Sequence, residues 1–187
     1  MSQPYIIAYL PTCKQWEGCV PHFYLDTRGN VTVWVGFLVE TALIAQTLPM
    51  YLPGLTVAAT VYEIARAWNT VDAMQEGHMS AFYAYPGCLQ MQEKDGDALL
   101  MAKLDTLDEG LAPGIQGFEA LPEGWKMALL DLSYNLGLDG LLKGYPRMLA
   151  AVQAGNGPLA AAECHRNGIS AARNAWCAAR FKGAVQT

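Results

Sequence analysis

The sequence predicts a mainly helical domain of the α+β class, with a small β-hairpin near the N-terminus. Apolar side chains recur at helical spacing from Thr56 onward and again over residues 97–107. Residues 31–35 alternate valine with other side chains, the pattern of a half-buried strand, and they follow the turn-rich residues 27–30. Apolar residues make up 52% of the 187 positions and charged residues 16%, which favours one compact domain over disorder.

The remaining elements follow from capping and periodicity. Gly18 is expected to end the first helix at Glu17, because glycine accepts the positive φ that often follows a helix C-terminus. Ser170 is expected to cap the last helix. Residues 109–124, rich in glycine and proline, are expected to be loose. In full, helices are predicted over residues 10–17, 40–48, 56–78, 97–107, 122–137, 146–154, 158–165 and 170–181.

The charge and hydropathy patterns exclude several classes of partner. With 12 basic and 17 acidic residues the net charge is −5, and no basic stripe suits nucleic acid. The apolar tract over residues 33–67 is interrupted by charged residues and prolines, so no membrane span is expected. The first residues lack the basic region and long apolar run of a signal peptide. We therefore expect a protein made in the cytoplasm without a conventional leader.

The five cysteines are expected to be free, because free buried thiols are the default in a chain made in the cytosol. Their odd count also excludes complete internal pairing. A disulfide between Cys164 and Cys177 stays open as an alternative, if the last two helical segments pack antiparallel. Cys19 and His22 have ligand-like spacing, but no second pair follows and structural zinc usually takes four ligands. Neither a metal site nor a cofactor is predicted.

Two acidic residues near the hairpin are the candidates for chemistry. Glu17 stands at the predicted helix end, and Asp26 stands where the hairpin turn begins, with Thr32 expected to face it across the hairpin. Two carboxylates held by different elements around a groove suit glycosidic bond cleavage, which needs one proton donor and one carboxylate for the water or the sugar carbon. The structural alternatives are a backbone acceptor at a turn for Asp26 and a solvated charge for Glu17.

The combination of these residues resembles a known family. Glu17-Gly18, then Tyr24-x-Asp26-x-x-Gly29, then Thr32-Val33-x-Val35-Gly36 is similar to the active-site run of phage-type lysozymes, the muramidases of glycoside hydrolase family 24. The resemblance implies that Glu17 is the acid, Asp26 the second carboxylate and Thr32 the residue that holds the attacking water. The family usually ends this run in Gly-x-Gly-His, whereas this chain has Trp34-Val35-Gly36-Phe37. Trp34 is therefore expected to narrow or line the groove, with Tyr24 in a supporting position.

A second part of the resemblance lies nearer the C-terminus. The segment Tyr134-Asn135-Leu136-Gly137 is similar to the helix end that forms the far side of the sugar cleft in that family. Gly168-Ile169, followed by Arg173-Asn174, echoes a family segment whose arginine approaches the acid. By this resemblance Asn135 and Gly137 contribute to the cleft and Arg173 lies near Glu17.

The resemblance implies a two-lobed lysozyme-like fold with the groove between the lobes. The expected boundaries are an N-terminal lobe with the hairpin over about residues 1–55, a linking helix over about 56–79 and a helical lobe over about 80–187. The implied reaction is hydrolysis of the β-1,4 bond between N-acetylmuramic acid and N-acetylglucosamine in peptidoglycan. For that role the environment of Glu17 is expected to raise its pKa. A non-catalytic peptidoglycan-binding or structural domain is the alternative.

The expected biological setting has two candidates. One is a phage endolysin, and the other is an antibacterial effector injected into a rival's periplasm, for example by a type VI secretion apparatus. In either case the partner is the glycan strand of the cell wall, and the protein is expected to act there as a monomer. An effector would also require an immunity or inhibitor protein that occupies the groove.

Overall fold

The computed structural model describes residues 2–183 and has a mainly helical fold with two small antiparallel sheets. Two short 3-10 turns, Ser80–Tyr83 and Phe118–Ala120, complete the regular structure of the described residues. In chain order the helices and strands are α1 (Pro4–Glu17), β1 (Val20–Leu25), β2 (Val31–Trp34), β3 (Phe37–Leu38), α2 (Ala42–Ala45), β4 (Met50–Tyr51), α3 (Val61–Asp72), β5 (Gln90–Met91), α4 (Glu93–Gly114), α5 (Glu123–Gly144), α6 (Pro146–Gln153), α7 (Gly157–Glu163) and α8 (Ala171–Phe181).

The chain divides into two compact units. One unit is Glu17–Leu100, and the other joins the residues up to Trp16 to those from Met101 onward. The division falls inside α4, whereas the sequence predicted a linking helix over residues 56–79. The helix within that predicted segment is α3, which lies wholly within the first of these units. The predicted lobe boundaries stay a prediction.

Capping and local packing explain where the helices differ from prediction. The second predicted helix is only the four residues of α2, with Thr41 at its N-cap. α3 begins late because Thr60 and Glu63 form a capping box, in which each side chain binds the other residue's backbone N–H. α1 begins six residues earlier than predicted and contains Pro11. α4 extends to Gly114, so part of the segment expected to be loose is helical.

The unit Glu17–Leu100 contains both sheets. The order β1-β2-β3 is antiparallel, with Tyr24 opposite Thr32 and Leu25 opposite Val31, and β4 pairs separately with β5. All four residues of β2 are buried, so the expected alternation of a half-buried strand is wrong. The second face of β2 is buried because other elements pack against it. α3 packs near β2, and Trp34 lies directly against Gly96 of α4.

The other unit is helical and is organised around α5. Nine consecutive residues of α5 are buried, over residues 125–133. At Gly137 the backbone takes φ 75° and ψ 161°, which interrupts the helix where the sequence predicted its end. The helices α6 and α8 lie within one residue of their predicted bounds, and the Ser170 hydroxyl accepts a hydrogen bond from the backbone N–H of Arg173, as expected of an N-cap.

The cysteines are free in this structure, so the alternative of a Cys164–Cys177 disulfide is not realised. The two thiols are buried, and each donates a hydrogen bond to a backbone carbonyl, Cys164 to that of Ala161 and Cys177 to that of Ala128. The interaction between the two thiols lowers the pKa of Cys164 and raises the pKa of Cys177, and burial adds to the rise at Cys177. As for membranes, none of the helices within residues 2–183 has the length and hydropathy that a bilayer crossing requires.

Candidate functional site

Both candidate carboxylates line one groove in the unit Glu17–Leu100. We call it the carboxylate groove; its volume is 610 Å³, within the range of small-molecule sites. Glu17 and Asp26 come from the end of α1 and from the hairpin turn, so two separate elements hold them. The lining residues are Glu17, Val20, Tyr24, Leu25, Asp26, Thr27, Gly77, His78, Met79 and Ser80.

Glu17 occupies the last position of α1. Gly18 follows with φ +76°, so glycine ends the helix as the sequence predicted. This end directs the chain from α1 into β1 and leaves Glu17 at the groove. Its side chain is exposed, as in the structural alternative of a solvated charge.

Asp26 is held by the backbone of the hairpin turn. One carboxylate oxygen accepts hydrogen bonds from the backbone N–H groups of Arg28, at 2.8 Å, and Asn30, at 2.9 Å. The other accepts a longer bond, 3.3 Å, from the Asn30 side-chain amide. The partner of Asp26 across the hairpin is Asn30, so the expectation that Asp26 faces Thr32 is wrong. The side chain is partly exposed and fixed in place at the groove.

Tyr24 lies close to both carboxylates. Burial raises the pKa of its hydroxyl, and the negative charges of Asp26 and then Glu17 raise it further. A hydrogen bond from the backbone of Gly36 acts in the opposite direction. The three groups therefore share one electrostatic environment, in agreement with the groove lining.

Thr32 and Trp34 are placed differently from their predicted roles. Thr32 is 3% exposed, and its hydroxyl donates a hydrogen bond of 3.0 Å to the carbonyl of Asn30. The role of Thr32 in orienting water stays a prediction, and its burial argues against it. Trp34 is 6% exposed, with φ +56° and its indole against Gly96, so it is a core residue and does not line the carboxylate groove.

Residues 77–80 form a wall of the groove that sequence reasoning missed. The sequence predicted a helix through residue 78, but α3 ends at Asp72. The chain then forms an irregular segment, fixed by a hydrogen bond of 3.0 Å between His22 Nε2 and the carbonyl of Ser80. Gly77, which has φ +83°, could have indicated that the helix ends before residue 78, because a glycine within a helical pattern often marks the end of the helix.

The predicted supporting residues near the C-terminus belong to the other unit. Asn135 is exposed and lies two residues before the interruption at Gly137. Tyr134, beside them, has the Lys103 ammonium group 4.1 Å from its ring centroid. The participation of Asn135 and Gly137 in a sugar cleft stays a prediction.

Arg173 belongs to a buried charge cluster that sequence reasoning did not identify. Asp131 is 0% exposed, and its carboxylate accepts hydrogen bonds from Arg173 Nε, at 2.9 Å, and from the Tyr9 hydroxyl, at 2.7 Å. Arg166, itself 1% exposed, binds the second carboxylate oxygen at 2.5 Å. Asn174 then binds the backbone of Arg166 through both its amide oxygen and nitrogen. The expected approach of Arg173 to Glu17 stays a prediction.

The groove suits acid–base chemistry on an uncharged bond. A carboxylic acid donates a proton, and a carboxylate accepts one or stabilises positive charge. Within the described part of the chain, no group of three or more histidine, cysteine, aspartate or glutamate side chains could hold a metal ion.

Comparison with known proteins supports the fold. No protein-family model matches the chain, and no curated protein sequence matches it significantly. Among solved structures, the chain is similar to the muramidase domain of SpmX from Asticaccaulis excentricus, with a TM-score of 0.55 and 15% sequence identity. The match covers 96% of this chain and 96% of that one. At this identity the similarity establishes a shared lysozyme-like fold, and activity has to be argued from the site.

Proposed function

We propose that this protein is a peptidoglycan muramidase that hydrolyses the β-1,4 bond between N-acetylmuramic acid and N-acetylglucosamine. The observation that carries the proposal is the carboxylate groove, in which Glu17 and Asp26 stand on separate elements and share Tyr24 as a neighbour. The lysozyme-like fold supports the same reaction class, since the similar structure is itself described as a muramidase domain. The family resemblance of residues 17–36 supports the assignment of roles.

In the proposed reaction Glu17 donates its proton to the glycosidic oxygen as the bond from that oxygen to the sugar carbon breaks. Positive charge then develops on the sugar ring. The Asp26 carboxylate stabilises this charge or takes a proton from the attacking water, and the water oxygen ends on the sugar carbon. Glu17 is exposed in the empty groove. A bound sugar would displace water from around it.

Thr32 has an indirect role in this proposal. Its hydroxyl binds the carbonyl of Asn30, and the N–H groups of Asn30 bind the carboxylate of Asp26. Thr32 therefore acts as a positioning residue, because it fixes the residue that orients Asp26. This role fits a buried hydroxyl, whereas direct contact with the attacking water does not.

The test is digestion of purified sacculi, with chromatography of the released muropeptides. We expect the wild type to release products that end in reducing N-acetylmuramic acid. Glu17→Gln should lower the rate by about 10²–10⁴-fold, the usual contribution of a general acid, and Asp26→Asn should also lower it strongly. Glu40→Gln is the matched control, because Glu40 is an exposed carboxylate outside the groove, and it should retain the wild-type rate. The proposal is wrong if the wild type releases nothing, or if Glu17→Gln is as active as wild type.

A non-catalytic wall-binding domain is the second candidate. The observation that favours it is the state of the two carboxylates, since Glu17 is exposed and Asp26 is engaged by the backbone of its own turn. This candidate predicts that the wild type sediments with sacculi and releases no muropeptides. The same digestion therefore distinguishes the two functions.

Action at the cell wall is part of the proposal. We infer that the protein reaches peptidoglycan by release from a lysing host or by injection into a rival cell. An immunity protein that occupies the carboxylate groove would be expected only in the second case. Deletion of the neighbouring genes in a producing strain would test this, since loss of an immunity protein should make the producer sensitive to its own enzyme.

A further inference from the structure

The wall of the carboxylate groove at residues 77–80 is fixed from two sides. The hydrogen bond from His22 ties the carbonyl of Ser80 to β1. Just beyond, Tyr83 is 0% exposed and its hydroxyl donates a hydrogen bond of 3.0 Å to the carbonyl of Gln75. These anchors lie before and after His78 in the chain, so this irregular segment has a defined conformation.

His78 stands on this wall as part of an aromatic stack. Its imidazole lies on the ring of Phe82, with centroids 3.9 Å apart and planes inclined by 19°. Phe82 in turn meets the buried ring of Tyr83 edge to face, at 5.3 Å and 89°. The exposed imidazole is therefore connected to the core of its unit through two rings. This arrangement lowers the entropy that the side chain would lose on binding a ligand.

The exposed ring of His78 is available to a ligand in the groove. His78 lines the groove together with Glu17 and Asp26. Phe82 covers one ring face, and the His78 side chain is exposed to solvent. Apolar surface continues beside it, since Met79 is 84% exposed and Phe82 is 47% exposed. Exposed apolar surface at the rim of a polar groove is typical of a ligand-binding site.

The chemistry of this wall fits a saccharide. A pyranose ring has an apolar face of C–H groups, which packs on flat rings, and a polar edge, which the carboxylates on the same groove can bind. We propose that His78, supported by Phe82, packs its free ring face against an N-acetylhexosamine of the glycan strand and so determines substrate affinity. This inference rests on the proposed function, because it assigns the same groove to the same polymer. Nothing in the sequence resemblance covers residues 77–82.

The test is calorimetric titration with a soluble tetrasaccharide of alternating N-acetylglucosamine and N-acetylmuramic acid. Glu17→Gln serves as the parent protein, so that the sugar is not cleaved. Adding His78→Ala or Phe82→Ala should each weaken binding by on the order of tenfold, the scale of one aromatic contact. Tyr62→Ala is the matched control, because Tyr62 is a 73% exposed aromatic outside the groove, and it should leave the affinity unchanged.

Two further substitutions test the ring face itself. His78→Phe keeps a flat ring and should bind within about threefold of the parent, whereas His78→Gln keeps a polar group and should bind as weakly as His78→Ala. The opposite order would overturn the proposal, because it would show a contact through the imidazole nitrogens. Thermal unfolding of each variant verifies the fold. Because His78 is exposed and loses one ring contact, its substitution should lower the unfolding temperature only slightly.

The outcomes separate this inference from the proposed function. In the active protein, His78→Ala should raise KM by a similar factor and change kcat by less than about twofold, the result of losing uniform binding. Equal affinities across the series, or no measurable binding by the parent, would overturn the role of His78. A wild type that binds the tetrasaccharide through His78 but releases no muropeptides would overturn the muramidase activity alone.

Discussion

The helical unit, which joins the residues up to Trp16 to those from Met101, contains a buried carboxylate. This carboxylate belongs to Asp131, is 0% exposed and accepts hydrogen bonds from Arg166, Arg173 and Tyr9. In the unit Glu17–Leu100, the side chains of Glu17 and Asp26 line the carboxylate groove, which is open to water. The two settings place opposite demands on the same functional group. A buried charge is tolerated only when it is paired, whereas a charge at a groove keeps access to a ligand.

This difference predicts which property each carboxylate affects. Removing a partner from a buried charge leaves the remaining charges without compensation, so the loss appears as stability. Under the proposed function, removing a carboxylate at the groove should change proton transfer while the surrounding core stays packed, so the loss should appear as activity. The Glu17→Gln variant described above tests the carboxylate at the groove. Its effect on the rate of muropeptide release is the largest effect that we expect.

Asp131→Asn tests the buried carboxylate and should lower the free energy of unfolding more than any other substitution proposed here. It leaves Arg166 and Arg173, which are 1% and 5% exposed, without their shared negative partner. We expect a loss of about 3–5 kcal/mol in the free energy of unfolding, measured by urea denaturation followed by circular dichroism. Asp139→Asn is the control, because Asp139 forms an exposed ion pair with Lys143, and it should change stability by less than about 1 kcal/mol. Equal stability of the two variants would remove the distinction between the buried and the exposed carboxylate.

Gly157→Ala should have the next largest effect and tests packing in the helical unit without changing charge. A Cβ atom at Gly157 would lie 2.2 Å from the Phe181 carbonyl oxygen and 2.8 Å from the indole of Trp125. The first neighbour is backbone and cannot move aside, so we expect a loss of about 1–3 kcal/mol. Gly144→Ala is the matched control, since nothing lies within 4 Å of that position. A shift in the unfolding temperature of similar size in both variants would show that the close approach at Gly157 is not a constraint.

Local signals in the sequence were sufficient to predict a good part of the fold. The end of α1 at Glu17, the turn after Asp26 and the Ser170 cap each depend on a few consecutive residues, and the structure contains all three. The overall class, mainly helical with a small hairpin, followed from periodicity. The structure also places Glu17 and Asp26 on one groove, although their catalytic roles stay predictions.

What the sequence did not predict depends on contacts between distant residues. Thr32 and Trp34 occupy a strand whose every residue is buried, which alternation along the strand cannot reveal. Asp131 and Arg166 are 35 positions apart in the chain, and only the packing of the helical unit brings them together. The groove wall was missed because α3 ends at Asp72, earlier than its periodicity indicated.

The smallest expected effect is a change in the titration of Tyr24, which tests how close each groove carboxylate lies to the Tyr24 hydroxyl. Burial, then Asp26 and Glu17, raise the pKa of this hydroxyl, because a tyrosinate would be poorly solvated and repelled by two negative charges. Asp26→Asn and Glu17→Gln should therefore each lower the pKa of Tyr24 towards its ordinary value of about 10, whereas Glu40→Gln should not. Ultraviolet absorbance of tyrosinate, minus that of the same protein with Tyr24→Phe, isolates this group.

The same shift makes stability depend on pH in a defined direction. Because the pKa of Tyr24 is higher in the folded protein, the folded state keeps a proton that the unfolded state loses above about pH 10. The contribution of Tyr24 is therefore fully present below that pH and is lost as the pH rises past it. Wild type should lose more unfolding free energy than Tyr24→Phe between neutral and strongly alkaline pH. If neither carboxylate substitution moves the titration, Tyr24 does not connect Glu17 with Asp26, and the electrostatic support for a shared site is lost.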